Sequence, residues 1–348
     1  MIDILETSIT EYKNLSQSIF YKTIQQNHQP LQKLLIFMIR KRLAYFDTSS
    51  INFINNWVDT QELTLLRKGF IKQYNCLPTI SPLNLYEILN SSNEQTRDDL
   101  ILTCQNFFDR KIFPTPCEIL DNYIIKNTPL IEHGDFKVNG SSKSANLWKE
   151  IHFNQRKTLI IDTKSMEESR NKIYKLSQFI YYAINNNFSS IDSSNDDLHL
   201  LSVINDLYDL FTPILRKHGE DHVQKEVFYK TNIFFIFFVL DFFDSDFNNV
   251  TDFWLRRKII LPDTRICYIL NHLNSLLFRG PTVLMSLMAA NQAKYKYSRG
   301  FLLDCLHAGY YSYCDYLVTN DPHFEKFSID ISDHLPCKIL NIAKINSN

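Results

Sequence analysis

The sequence predicts an α/β protein in which helices surround one parallel sheet. Two short runs rich in aromatic and branched residues, Leu43-Ala-Tyr-Phe46 and Tyr316-Leu-Val-Thr319, read as buried strands. Each feeds into an acid zone, Asp47-Thr48-Ser49 and Asn320-Asp321, and ligands of open parallel sheets collect just beyond the strands' carboxyl ends. Only 7 Gly and 11 Pro occur in 348 residues, which disfavours a turn-rich all-β architecture.

In chain order, residues 1–40 read as a helical extension with apolar positions Ile19, Phe20 and Ile24 and a break at Pro30. After the first strand, Ile51 to Tyr74 has helical periodicity, with Ile51, Ile54, Trp57, Leu63, Leu66 and Phe70 on one stripe. Cys76 to Ser81 is a strand candidate that Pro78 confines to a weak or edge position. Ser81-Pro82 supplies an N-cap and a first-turn proline for a helix through Leu89. A further helix, Asn93 to Arg110, leads to the Phe113-Pro-Thr-Pro116 break. Amphipathic helical segments follow at Met166–Asn186, Leu198–Lys217 and Asp221–Phe243. Leu159-Ile-Ile-Asp162-Thr163 mimics the first strand and its acid and is the main rival for the active-site assignment, but the reading favoured for it is a local strand or a helix start capped by Asp162. Beyond Arg279-Gly-Pro281, two helices lead to the strand at Tyr316, and Leu335–Ile339 is a last strand weakened by Pro336. The expected organisation is an extension over 1–40, a sheet domain split between 41–129 and 278–348, and an all-α insertion over 130–277.

A hydrophobic share of 45% suffices for one large core or two moderate ones. With 37 Lys+Arg against 38 Asp+Glu, no global field draws the chain to nucleic acid or an anionic membrane, so a polyanion has to be met by a local patch. The seven cysteines are odd in number and include no C-x-x-C pair, as expected of reduced, mostly buried thiols. Met1-Ile-Asp-Ile-Leu-Glu lacks a basic leader, and the apolar runs 34–39 and 233–240 are too short to span a bilayer. A cytoplasmic protein with no membrane partner is the expectation.

Two further acids, Glu87 and Asp304, stand alone in apolar helical stretches. Buried and unpaired, each would cost several kcal/mol, so each faces water at a helix margin or needs a cation, a hydrogen-bond cluster or a metal. The ordered set resembles the PIN-domain family of metal-dependent ribonucleases: strand-Asp47-Thr-Ser, Ile80-Ser-Pro-Leu-Asn-Leu-Tyr-Glu87, and Leu303-Asp304 running on to Leu-Val-Thr-Asn-Asp321-Pro-His-Phe324. The closing segment is the specific part, and the resemblance spans roughly residues 41–125 and 278–342. It implies a three-layer α/β/α domain with an acidic pocket for Mg2+ or Mn2+. Asp47, Glu87, Asp304 and Asp321 fall on the family's acids, as metal ligands and catalytic groups, and Thr319 and Asn320 on its adjacent small polar positions.

Such carboxylates repel one another until a hard divalent cation relieves them. The cation then polarises a phosphodiester oxygen and orients a water for in-line attack. The resemblance implies an RNA substrate, products with 5′-phosphate and 3′-hydroxyl ends and, in several members, a toxin or defence role with a neutralising protein partner. A non-catalytic PIN-like scaffold that binds RNA or protein is the rival expectation.

Lys294-Tyr-Lys296-Tyr-Ser-Arg299 interleaves cations with aromatics, suited to phosphate contacts and base stacking, and His323 is a further candidate for substrate contact or loop packing. His307, one turn after Asp304, reads as a core residue or one that supports the site rather than as a catalytic base. A haloacid-dehalogenase-like phosphatase would need an acid at position 49, which is Ser, and no G-x-S-x-G elbow, Walker loop or G-x-G-x-x-G turn is present. His218 and His222 lack the metalloprotease pattern and read as a solvated helix start.

Overall fold

The computed structural model describes residues 42–58, 60–91, 93–108, 112–113, 115–116, 163–189, 195–217, 225–242, 281–331 and 337–345. The expected N-terminal extension, the strand-like run 159–162, and His218 and His222 lie outside these residues. In chain order the elements are β1 (Arg42–Phe46), α1 (Thr48–Trp57), α2 (Thr60–Tyr74), β2 (Cys76–Thr79), α3 (Pro82–Leu89), α4 (Glu94–Phe107), α5 (Thr163–Asn185), α6 (Asn195–Lys217) and α7 (Glu226–Phe242). They continue with α8 (Pro281–Gln292), α9 (Phe301–Ala308), β3 (Tyr316–Thr319), α10 (Pro322–Ile331), β4 (Lys338–Asn341) and α11 (Ile342–Ile345). The chain divides into two compact units, a sheet unit with the described residues within 14–115, 129–166 and 310–348, and a helical unit with those within 116–128 and 167–309.

The sheet unit is α/β. Its four strands are all parallel, in the order β2-β1-β3-β4. Ala44 pairs with Tyr316 and Phe46 with Val318, so the two strands expected from their apolar runs are direct neighbours. β2 is an edge strand, where Pro78 can sit without breaking an inner ladder. β4 starts at Lys338, later than the expected Leu335, beyond the proline that cannot donate to a ladder.

Side chains alternate across the sheet. Phe46 packs on one face, its ring edge-on to Phe70, Phe107 and Phe108 at 5.1, 5.3 and 5.2 Å between centroids. Ala44, Ile51, Ile54, Leu100, Cys104 and Val318 complete that core. Tyr45 points the other way, against Phe113 at 5.6 Å and Tyr310 at 4.9 Å.

The periodic segment from Ile51 to Tyr74 is two helices, because the backbone turns extended at Val58. Ile51, Ile54, Leu63 and Phe70 of the expected stripe are still buried in one core, with Leu66 packed against it. Trp57, expected in the core, is 54% exposed and stacks on Phe53 at 6.0 Å. Asn75 ends α2 in the left-handed region at φ 51°, a conformation Asn tolerates, and β2 follows at once.

In the helical unit α5 is amphipathic, with Ile173, Leu176, Ile180 and Ile184 buried. The expected amphipathic segment at 221–243 is instead a helix, α7, buried on every side from Phe228 to Val239. Its run Ile233-Phe-Phe-Ile-Phe-Phe-Val239 has no polar face to offer water. Among the described residues no helix is long and apolar enough to cross a membrane.

Candidate active site at the sheet edge

Every strand of the sheet is followed within a few residues by a helix start, at Thr48, Pro82, Pro322 and Ile342. Parallel strands therefore gather helix N-termini at their carboxyl ends, where unpaired amides favour negative charge. From β1 the chain proceeds outward to β2 on one side, and from β3 to β4 on the other, so the strand order reverses between β1 and β3. Such a reversal opens a crevice in which ligands of α/β sheets bind. Asp47 and Asp321 lie at its two lips.

Asp47 is 2% exposed and is tied into both strands. Its amide donates to the Val318 carbonyl at 3.1 Å, continuing the β1–β3 ladder beyond Phe46. It is also the N-cap of α1, where Oδ1 accepts the Ser50 amide at 2.8 Å. Ser49 Oγ donates to both carboxylate oxygens at 2.9 Å, and Thr319 Oγ1 donates to Oδ2 at 2.5 Å. Three donors hold this carboxylate in one orientation and offset the cost of burying it.

The same two hydroxyls reach the backbone that carries the second acid. Thr319 Oγ1 accepts the Asp321 amide and Ser49 Oγ accepts the Asn320 amide, each at 2.9 Å. Asp321 is partly exposed, and its Oδ1 accepts the His323 amide at 2.7 Å ahead of α10, with Pro322 in the first turn. Glu87, on α3, accepts a hydrogen bond from Thr48 Oγ1. Asn84 Nδ2 in turn donates to Thr48 Oγ1 and to the Phe46 carbonyl, both at 3.1 Å. Asp47, Glu87, Thr319 and Asp321 are thus joined through short side-chain and backbone links at one sheet edge.

Asn84 is the residue that sequence reasoning missed. It is fully buried, and its Oδ1 accepts the Ser81 amide at 2.7 Å. The available signal was its place three residues after the Ser81 N-cap, where a side-chain acceptor closes a capping box. On the other face, Tyr45 shares a 2.9 Å hydrogen bond with Ser81 Oγ. Burial, then the neighbouring Tyr310, pushes its phenol well above the ordinary range, and the Ser81 bond opposes that rise.

The helical unit holds the other expected residues. Asp304 lies on α9, half-buried, and accepts a hydrogen bond from Gln292 Nε2 at 3.0 Å. Lys294, Lys296 and Arg299 are exposed on the segment after α8, and His307 is buried as expected of a core residue. Cys76, Cys104, Cys305, Cys314 and Cys337 are free and buried. Among the described residues, no three His, Cys, Asp or Glu side chains form a preassembled metal-holding group. The sheet edge nevertheless presents hard oxygen donors, and Mg2+ commonly takes one or two carboxylates with water and phosphate oxygens completing its shell. In donor chemistry the residues fit such an ion.

Comparisons with protein-family models, with curated proteins and with solved structures found no match to this chain.

Proposed function

We propose that the sheet unit is a PIN-like domain and that the chain is a metal-dependent endoribonuclease, hydrolysing RNA phosphodiester bonds with Mg2+ or Mn2+. The observation that carries this reading is the position of Asp47 and Asp321 at the β1/β3 reversal, linked through Thr319. Asp47 and Asp321 would hold the ion, and Glu87 would reach it through water. The chemistry supplied by a bound divalent cation is polarisation of a phosphodiester oxygen and a lowered pKa for a bound water.

The chain's own residues supply the rest. Thr319, Ser49 and the Ser50 amide fix Asp47 before substrate arrives, which removes reorganisation from the reaction step. Glu87, oriented by Thr48, accepts a proton from the attacking water. As the new oxygen–phosphorus bond forms, the bond to the 3′-oxygen breaks and that oxygen takes a proton from solvent. The products carry a 5′-phosphate and a 3′-hydroxyl. Helix N-termini at this edge favour the anionic phosphate.

One observation favours the rival reading of a non-catalytic scaffold: both Asp47 oxygens already accept hydrogen bonds, as a purely structural N-cap would. Cleavage of single-stranded and structured RNA with Mn2+ or with EDTA, by the wild type, Asp47→Asn and Asp321→Asn, separates the two. Asn keeps the N-cap, so folded variants with activity down ~100-fold or more support the nuclease. Metal-dependent activity that survives both substitutions refutes this site, and a wild type inert on every RNA favours the scaffold.

A further inference from the structure

The helical unit carries a strip of tyrosines and cations that the sheet-edge chemistry does not use. It is built by α5 and the segment from Lys294 to Arg299. Tyr181 Oη donates to the Tyr295 carbonyl at 2.7 Å, and the Leu302 amide donates to Ser177 Oγ at 3.3 Å, so the segment is docked along α5. The rings continue that contact: Tyr181 meets Tyr297 at 5.3 Å and Phe301 at 5.6 Å, both edge-on. Tyr182 abuts Tyr181 at 5.4 Å and is 47% exposed. At the other end the Arg299 guanidinium lies 5.8 Å from the Tyr174 ring centroid.

Exposure alternates along the segment. Lys294 and Lys296 are exposed, whereas Tyr295 and Tyr297 between them are half-buried. Lys175 adds an exposed cation beside Tyr174. Among the described residues Lys294, Lys296 and Arg299 meet no carboxylate. A chain with a formal charge of -1 thus concentrates unpaired positive charge next to exposed aromatic surface. Cations alone would suit any acidic partner. Partly exposed rings interleaved with cations also suit unpaired bases, whose faces are hidden in a duplex.

We propose that this strip binds single-stranded RNA, with phosphates on Lys294, Lys296 and Arg299 and bases against Tyr182 and Tyr297. The choice of RNA rests on the ribonuclease reading of the sheet unit.

The test is fluorescence anisotropy with the full-length protein in EDTA, using a labelled 12-nucleotide oligouridine, an RNA duplex of equal length, and a polyglutamate peptide. The oligouridine is expected to bind more tightly than the duplex, and the peptide not to displace it. Lys294→Glu/Lys296→Glu/Arg299→Glu together should weaken oligouridine binding at least ~10-fold and flatten its log–log salt dependence by about 2, near 0.7 for each phosphate that no longer meets a cation. Tyr182→Ala should weaken it about 5- to 150-fold, the range for one stacked base, and Tyr182→Phe should restore it. Wild-type affinity in the triple variant, preference for duplex, or peptide binding in place of RNA would overturn the proposal. Cleavage lost in Asp47→Asn while binding ignores the strip variants leaves the nuclease standing without the strip. Strip-dependent binding with no cleavage of any RNA leaves the strip standing without the nuclease.

Discussion

Thr319 Oγ1 donates to Asp47 Oδ2 at 2.5 Å and itself accepts the Asp321 amide at 2.9 Å. One buried side chain thus couples the acid after β1 to the acid after β3. The coupling places both positioning and stability on Thr319.

Thr319→Val keeps the shape and removes the hydroxyl, leaving a buried carboxylate short of a donor. The expected cost is about 1–3 kcal/mol in urea unfolding, accompanied by reduced RNA cleavage, with Thr319→Ser recovering most of both. A Val variant as stable as the wild type would show that the bond contributes nothing.

Asn84 bridges α3 to the end of β1 through the Phe46 carbonyl and to Glu87 through Thr48. Asn84→Ala should destabilise by about 1–3 kcal/mol, because buried groups lose partners. It should also lower kcat more than it raises KM, since Glu87 would lose its orientation while substrate binding persists. An unchanged kcat would separate Glu87 from the chemistry.

The buried thiols predict an alkaline limit to stability. Burial, then Asp315, pushes Cys76 from 9.0 up to about 12, with Arg42 opposing. Burial is also the first cause that raises Cys104, Cys305 and Cys314. The fold favours the neutral thiol, so this stability is complete below the unfolded value near 9. Above it the unfolded chain binds fewer protons than the folded one, and stability falls until the folded value is passed. Urea midpoints should hold steady from pH 6 to 8 and drop from pH 9 to 11, by up to about 1.4 kcal/mol per pH unit for each thiol. Cys76→Ala should shallow the drop; a flat profile to pH 11 would contradict the assignment.

Asn75 occupies the left-handed region between α2 and β2. Asn75→Gly should be neutral or slightly stabilising, whereas Asn75→Val should cost about 1–2 kcal/mol. Equal thermal midpoints for the Gly and Val variants would argue that the turn relaxes at no cost.

Where local chemistry sets structure, it was legible. The β1 and β3 runs, the Ser81-Pro82 helix start and the edge placement of the Pro78 strand all depend on a few adjacent residues. Trp57 was not legible, because nothing local marks Val58, the residue after it, as the point where the backbone turns extended and the first helix ends. The full burial of α7 likewise follows from its neighbours, since an apolar run says what avoids water but not what surrounds it. In the candidate site, Asp47 and Asp321 stood out as acids just past strands. Asn84 did not, because a buried amide is recognised only through the groups it satisfies.

The sequence by itself determined which residues end the strands, which cap the helices, and that acids stand just beyond β1 and β3. Only the tertiary structure decided that those strands are neighbours, joining side chains 272 residues apart through one hydrogen bond. It also set Asp304 in the helical unit and Asp47, Glu87 and Asp321 in the sheet unit. Caps and strand ends act over one turn of backbone, whereas strand order is settled by how whole faces bury against each other.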